Sequence, residues 1–467
     1  MFKLYYKYYL VLYLSLFACV NIEFFHLSLL YFESDYLADN FKFLRSLIPF
    51  VLIVQFLIFF ICVFLKKKKI FHNYYLYSIL FYLILQTIAL FFSDHNPFFN
   101  IFYMFLSLAA ILVFLQINQL NENQLKFFIY LSVFILFILF ILFFTQNIIL
   151  FFKSPLTFYS EFPHVFRSET NPKLIDPSLN LQDQLPKNFT IYQTIFGEIP
   201  PRSSGISRIA LILSTFFFII LEKKNNFKIF FFIFLIYLNF SIFISQSRLN
   251  IVLILLIYSL ITYFSKKKTF SKIINLIMLL LLPLLIASYL NYSKTEKIFP
   301  FNNSSKLILD TKISKNLENQ NSERELHIFT LTGRQKIWVD VYNFTRPRWY
   351  IGNGPQADRY TIGQSASNLF FYAYSTGGIF SLFIFIFFYL RFFFTLKKII
   401  LIKGINYIVN DTLFFFTILI LLYFLLRSLF ETSFGVFGLD LIIFLNFLLF
   451  FNKKTFSFKN LIYIKKK

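Results

Sequence analysis

Charged side chains are scarce, at 14% of 467 residues, against roughly a quarter in a soluble globular chain. Acid is scarcer still, with 22 Asp and Glu against 45 Lys and Arg. Combined with 58% hydrophobic residues and a mean hydropathy of +0.67, that shortage excludes water as the main solvent of the folded chain. Cysteine is nearly absent. Cys19 and Cys62 stand in separate apolar stretches, with no metal or redox spacing, and serve as small apolar fillers. Glycine numbers 11, and none builds a phosphate-cradling loop; GxSxG, HExxH and Cys/His metal spacings are missing too. ATP-driven transport and zinc hydrolysis therefore have no motif to rest on, and the sequence implies neither metal nor cofactor. The net charge of +23 would point to nucleic acid only if it were gathered on a soluble domain, and there is none, so no nucleic-acid partner is expected.

What is present is apolar length. A run of about 17 to 25 apolar residues spans a bilayer as a helix, which satisfies its own backbone groups in lipid. Twelve such stretches lie at 5–22, 46–65, 74–92, 98–117, 127–144, 206–221, 227–244, 250–264, 273–290, 368–390, 412–426 and 439–451. The expected fold is an all-α integral membrane protein of about 12 transmembrane helices with two long external loops. Its parts are helices 1 to 5 (1–144), an external loop (145–205), helices 6 to 9 (206–290), a large external loop (291–367), and helices 10 to 12 with a basic tail (368–467). The first stretch lacks a small-residue cleavage site and is taken as an uncleaved span. The 74 Phe accompany abundant Ile, Asn and Lys, as in the drift of an AT-rich genome, and single Phe residues are taken as lipid-facing filler.

Loop charge sets the orientation. With the N-terminus inside, the inner segments hold 24 of the 45 basic residues, among them Lys66 to Lys69, Lys126, Lys267, Lys453 and Lys454, against three acids, Glu122, Glu222 and Asp411. The outer segments keep 21 basic and 19 acidic residues. Missing or inventing one span would destroy this asymmetry. The expected location is the bacterial inner membrane with both termini cytoplasmic.

The two outer loops are polar and contain proline, as regions acting in water at a membrane face do. In the second, Ile337, Trp338, Val341 and Tyr342 share one helical face, Pro347 ends that helix, and Gly352-Asn353-Gly354-Pro355 marks a turn. An amphipathic helix on the membrane surface follows. Arginines gather at outer helix ends: Arg202 and Arg208 entering the sixth span, Arg248 between the seventh and eighth, Arg334 in the second loop, and Arg427 leaving the eleventh. An arginine fork grips a diphosphate through two bonds and stays charged. The plainer alternative is that each anchors its span among lipid headgroups.

Pro201-Arg202-Ser203-Ser204-Gly205, Ser245-Gln246-Ser247-Arg248 and Thr332-Gly333-Arg334-Gln335-Lys336-Ile337-Trp338 occur in that order. They are followed by Gly352-Asn353-Gly354, Ser367-Asn368-Leu369-Phe370-Phe371 and Ser375-Thr376-Gly377-Gly378. Together they resemble the O-antigen ligase and polymerase superfamily over roughly 201–390, with weaker agreement at Arg427 to Glu431. The resemblance implies a GT-C-like membrane glycosyltransferase acting externally on glycans carried by undecaprenyl diphosphate, without metal. It implies Arg202, Arg208, Arg248, Arg334, Asn368 and Arg427 as substrate-binding residues. The partners it implies are the lipid-linked glycan, membrane lipid, a flippase and a chain-length regulator. Where the family commonly has His-Asn this chain has Ser367-Asn368, so no catalytic residue is assigned; His164 and His327 lie in outer loops and could enter the site.

A polymerase passes the chain to the next lipid-linked repeat, and a ligase passes it to lipid A core or protein. The missing histidine and absent soluble domain favour the polymerase. Glu33-Ser34-Asp35 in the first outer loop offers the acid pair of polyprenyl-phosphate-sugar transferases. A flippase or secondary transporter needs a similar number of helices, but no internal repeat is visible.

Overall fold

The computed structural model describes residues 7–17, 35–65, 73–92, 98–153, 203–223, 228–245, 247–265, 267, 269–295, 334–358 and 366–465. These form helices and turns, with no strand among them. The helices are α1 (Lys7–Phe17), α2 (Asp35–Leu65), α3 (Tyr74–Leu90), α4 (Phe98–Ile117), α5 (Glu122–Lys153), α6 (Ser203–Lys223) and α7 (Lys228–Ile244). They continue with α8 (Arg248–Phe264), α9 (Thr269–Thr295), α10 (Arg334–Thr345), α11 (Leu369–Lys403), α12 (Ile405–Asn410), α13 (Thr412–Arg427) and α14 (Leu439–Lys465). Each of the twelve apolar stretches overlaps a helix among the described residues. Among the described residues, four helical segments are long and apolar enough to cross a membrane: Glu122–Leu142, Gly205–Lys223, Phe270–Leu290 and Leu369–Lys403. Shorter apolar helices accompany them.

The outward surface confirms the membrane character. Leu281 and Leu285 on α9 and Phe383, Phe387 and Phe394 on α11 are exposed, forming apolar surface that a soluble monomer does not leave in water. Pro49 in α2 and Pro283 in α9 sit inside helices, which membrane helices tolerate.

The chain divides into two compact units. One combines Met1–Ile135 with Ile337–Lys467, and the other is Leu136–Lys336. The first unit is sewn by polar contacts between apolar helices. Asn446 of α14 donates its amide to Tyr13 Oη (3.1 Å), Phe128 O (3.0 Å) and Ser132 Oγ (2.7 Å), the type of bond that ties helices together in lipid. In the second unit Asn239 Nδ2 donates to Leu279 O (2.7 Å), while Tyr258 Oη donates to Asn239 Oδ1 (3.0 Å). Phenylalanine is not merely lipid-facing filler. Phe114, Phe128, Phe385 and Phe444 are buried, and Phe434 stacks on Phe444 at 3.8 Å between centroids, because an interior between helices needs large apolar side chains as much as the lipid face does.

Ion pairs respect the charge alternation found in the sequence. Lys454 Nζ lies 2.8 Å from Glu122 Oε1 and 3.0 Å from Asp411 Oδ2, and Lys267 Nζ lies 2.9 Å from Glu222 Oε1. Every one of these partners falls in a segment assigned to the inner side.

Candidate functional site

Helix α11 is not continuous. At Gly377 (φ −138°, ψ 21°) and Gly378 (φ 69°, ψ −165°) the backbone leaves helical geometry, and the helix resumes afterwards. A break in an apolar helix frees main-chain groups that lipid cannot satisfy. Here the segment following α10 satisfies them. Asn353 N–H donates to Ser375 O (2.8 Å), Gly354 N–H to Thr376 O (3.0 Å), and Ile379 N–H to Trp349 O (2.8 Å). The bond Ile379 would have made to Ser375 is replaced by one bond to each from the incoming loop. Gly352 and Gly354 have φ of 85° and 86°, the left-handed region glycine enters without penalty. A β-carbon on Gly352 would stand 2.5 Å from Gly378 N.

A buried polar cluster surrounds this junction. Gln86 Nε2 donates to Thr376 Oγ1 (3.0 Å), Tyr82 Oη is 3.3 Å from the same atom, and Gln356 N–H donates to Tyr372 Oη (3.3 Å). Asp358 is fully buried and accepts from Ala366 N–H at 2.6 Å. Asn353 Nδ2 and Gln356 Nε2 are buried with no hydrogen-bond partner, an arrangement that costs roughly 1–3 kcal/mol for each group. Neither Tyr82, Gln86, Gln356 nor Asp358 was expected from the sequence; a glycine pair inside an apolar run and the two polar residues Gln356 and Asp358 after Gly354 were their only trace.

α10 begins at Arg334 and ends at Thr345, with Pro347 in the following turn, as expected. Its apolar face packs on the start of α11. Trp338 Nε1 donates to Ala366 O (2.9 Å) and its ring stacks on Phe371 at 5.4 Å, while Tyr342 stacks on Tyr374 at 6.2 Å.

Asn368 caps α11. Its Oδ1 accepts from Phe370 N–H (2.8 Å) and Phe371 N–H (3.2 Å), and its Nδ2 donates to Leu429 O (2.6 Å). Leu369 N–H donates to Ser428 O at 2.8 Å. Asn368 and the Arg427 segment thus meet. Arg427 is 3% exposed, and its guanidinium binds both Asp440 and Glu431, so its charge is already matched by two carboxylates.

In the second unit the starts of α6 and α8 are tied together. Asn250 Nδ2 donates to Ser207 Oγ (2.7 Å) and to Ser247 Oγ (3.0 Å). Arg208 lies one turn into α6 and turns back towards its start, with Nη2 3.9 Å from where a β-carbon on Gly205 would stand. Arg248 is the first residue of α8. Two helix N-termini, each favourable to negative charge, therefore adjoin with an arginine on each. Arg202, His164, His327, Lys66 to Lys69 and most of both long loops lie outside the described residues. Among the described residues no group of three His, Cys, Asp or Glu is placed to hold a metal ion. Comparison with family models, curated proteins and solved structures finds no match.

Proposed function

We propose that this chain is a twelve-span glycosyltransferase of the bacterial inner membrane. It polymerises oligosaccharide repeats carried on undecaprenyl diphosphate at the external face, with both termini cytoplasmic. The observation that carries the reading is the bond between Asn250 and Ser207, because it joins the two helix starts that carry Arg208 and Arg248. Arg202 immediately precedes α6 in the sequence. A diphosphate held there is a stabilised leaving group. The acceptor hydroxyl of the next repeat attacks the anomeric carbon, the glycosidic bond forms, the bond to the diphosphate breaks, and the acceptor proton passes to the released diphosphate. The inner-side ion pairs of Glu122, Asp411 and Glu222 support the twelve-span alternation, since groups assigned to one side touch one another.

The break in α11 favours a second reading, a lipid-linked-glycan flippase or transporter, because discontinuous helices line the substrate paths of transporters. One experiment separates them. Arg202→Ala and Arg248→Ala each remove a charge-assisted contact worth on the order of 1.5–3 kcal/mol, and about 1.4 kcal/mol is tenfold in rate. Polymer chain-length ladders at matched protein levels should then fall by roughly tenfold, with Lys restoring only part because an ammonium has no fork. Unchanged ladders in both Ala variants would remove the diphosphate site and leave the transporter.

A further inference from the structure

Past its break α11 carries an open groove of about 430 Å³ on its surface. Leu390, Phe393, Phe394, Lys397, Ile400 and Leu401 line it. Their spacing of three and four puts them on one helical face, a stripe about 16 Å long. The stripe is apolar except at Lys397. Nothing described covers it: Phe394 is 65% and Leu401 74% exposed, and Lys397 between them is exposed as well. From Ile379 to Lys403 the helix is about 37 Å long, against about 30 Å of bilayer hydrocarbon, so the turns around Lys397 stand at headgroup level.

Protein leaves the charge of Lys397 unmatched, since it makes no ion pair among the described residues. α12 leads from the end of α11 straight to Asp411, which shares Lys454 with Glu122. Both acids described at this end of the unit are thus already engaged, Glu122 by Lys126 as well (3.2 Å). The neighbouring cation Arg391 differs from Lys397: its guanidinium lies over the Tyr74 ring, 4.4 Å from the centroid, a contact that shields it. An apolar groove with one unmatched cation at headgroup depth suits an amphiphile that has an acyl chain and a negative head. A second copy of the chain suits it poorly, because two-fold docking brings one Lys397 towards the other. We infer that this groove binds an anionic phospholipid of the adjoining leaflet, with the phosphodiester on Lys397 and an acyl chain along the stripe. The site lies on a single helix of one unit and does not depend on the transferase reading.

Native mass spectrometry of the full chain in detergent counts bound lipid and bound copies together. Dioleoyl phosphatidylglycerol should add a first, saturable molecule more tightly than dioleoyl phosphatidylcholine, whose choline brings a cation towards Lys397. Lys397→Gln should weaken phosphatidylglycerol about fivefold. Lys398→Gln removes the same charge one residue off the groove and should weaken it less than about twofold. Lys397→Arg keeps the charge and should bind as the parent does. Glycerol 3-phosphate, the head without its chains, should displace nothing. Equal binding of the two lipids, parental binding in Lys397→Gln, equal losses in the Lys397→Gln and Lys398→Gln variants, failure of Lys397→Arg, or displacement by glycerol 3-phosphate overturns the site. A dimer that excludes the lipid would assign the groove to a second copy of the chain and overturn it as well.

Discussion

Gly352 lies against Gly378 so closely that a β-carbon on either would strike the other's strand of backbone: 2.5 Å from Gly378 N in one case, and 2.4 Å from the Tyr350 carbonyl carbon in the other. Each has positive φ. The loop from outside and the broken helix can interlock only because both sides lack a side chain.

Gly378→Ala should therefore abolish accumulation of folded protein. A left-handed alanine costs roughly 1–3 kcal/mol, and the collision is with backbone that cannot turn aside. Gly404 supplies the control. It also has positive φ, 76°, but nothing lies within 4 Å of its β-position, so Gly404→Ala should cost only that same backbone term, roughly 1–3 kcal/mol. Melting of detergent-solubilised protein compares the two, and equal losses would show that the interlock contributes nothing.

Arg427 was expected to bind substrate, yet it is buried between Asp440 and Glu431. Removing one partner of a buried pair costs about 3–5 kcal/mol. Arg427→Ala should lower stability by that amount, and Arg427→Leu combined with Asp440→Leu should recover most of it. If the double variant folds and still gives full polymer ladders, Arg427 is structural. If it folds and the ladders vanish, its charge serves the substrate.

The helices were legible because an apolar run in lipid has one way to satisfy its backbone. The end of α10 before Pro347 was legible for a similarly local reason. Contacts across the chain were not. Glu431 stands four residues from Arg427 and was readable as a helical neighbour, whereas Asp440 reaches the same guanidinium only through the turn at 428–438. The glycines of Gly352-Asn353-Gly354 and of Gly377-Gly378 were each visible, but nothing local says that one fills the gap in the other. Asn368 was expected at the substrate; the structure employs both ends of its amide on backbone at the start of α11.

The cluster of Lys454 with Glu122 and Asp411 predicts a pH dependence. Burial raises the Asp411 carboxyl, but hydrogen bonds from Lys454 and the Phe414 amide outweigh it and hold it below the ordinary carboxylate range. Glu122 is lowered against burial in the same way, by Lys454 and then Lys126. Burial lowers Lys454, and its two carboxylates outweigh that and raise it. Carboxyls with depressed folded values stabilise the fold above their unfolded values, and that stability is lost as pH falls below about 4. A raised lysine stabilises below its unfolded value and loses that contribution only as pH climbs beyond about 10.4. Melting temperature should thus be level between these limits and drop on the acid side. Lys454→Met should flatten the acid limb, and an acid limb as steep as the parent's would reject the assignment.

The same ion pairs bear on orientation. Lys454, Glu122 and Asp411 touch, as do Lys267 and Glu222, so the segments that carry each set must lie on one side of the membrane. The proposed twelve-span alternation would put the segment with Lys66 to Lys69 on the same side as those pairs and the loop at 291–367 on the opposite one, and the positive-inside rule makes the first side cytoplasmic. Cys62 is exposed, so Cys19 and Cys62 would first be replaced by Ala. In that background Ser322→Cys should react with a membrane-impermeant maleimide in spheroplasts. Lys68→Cys should react only after permeabilisation, because its segment belongs with the lysine-rich inner set that the positive-inside rule retains in the cytoplasm. Labelling of Lys68→Cys in sealed spheroplasts would reverse the orientation and put the arginines of α6 and α8 on the face where no lipid-linked repeat is polymerised.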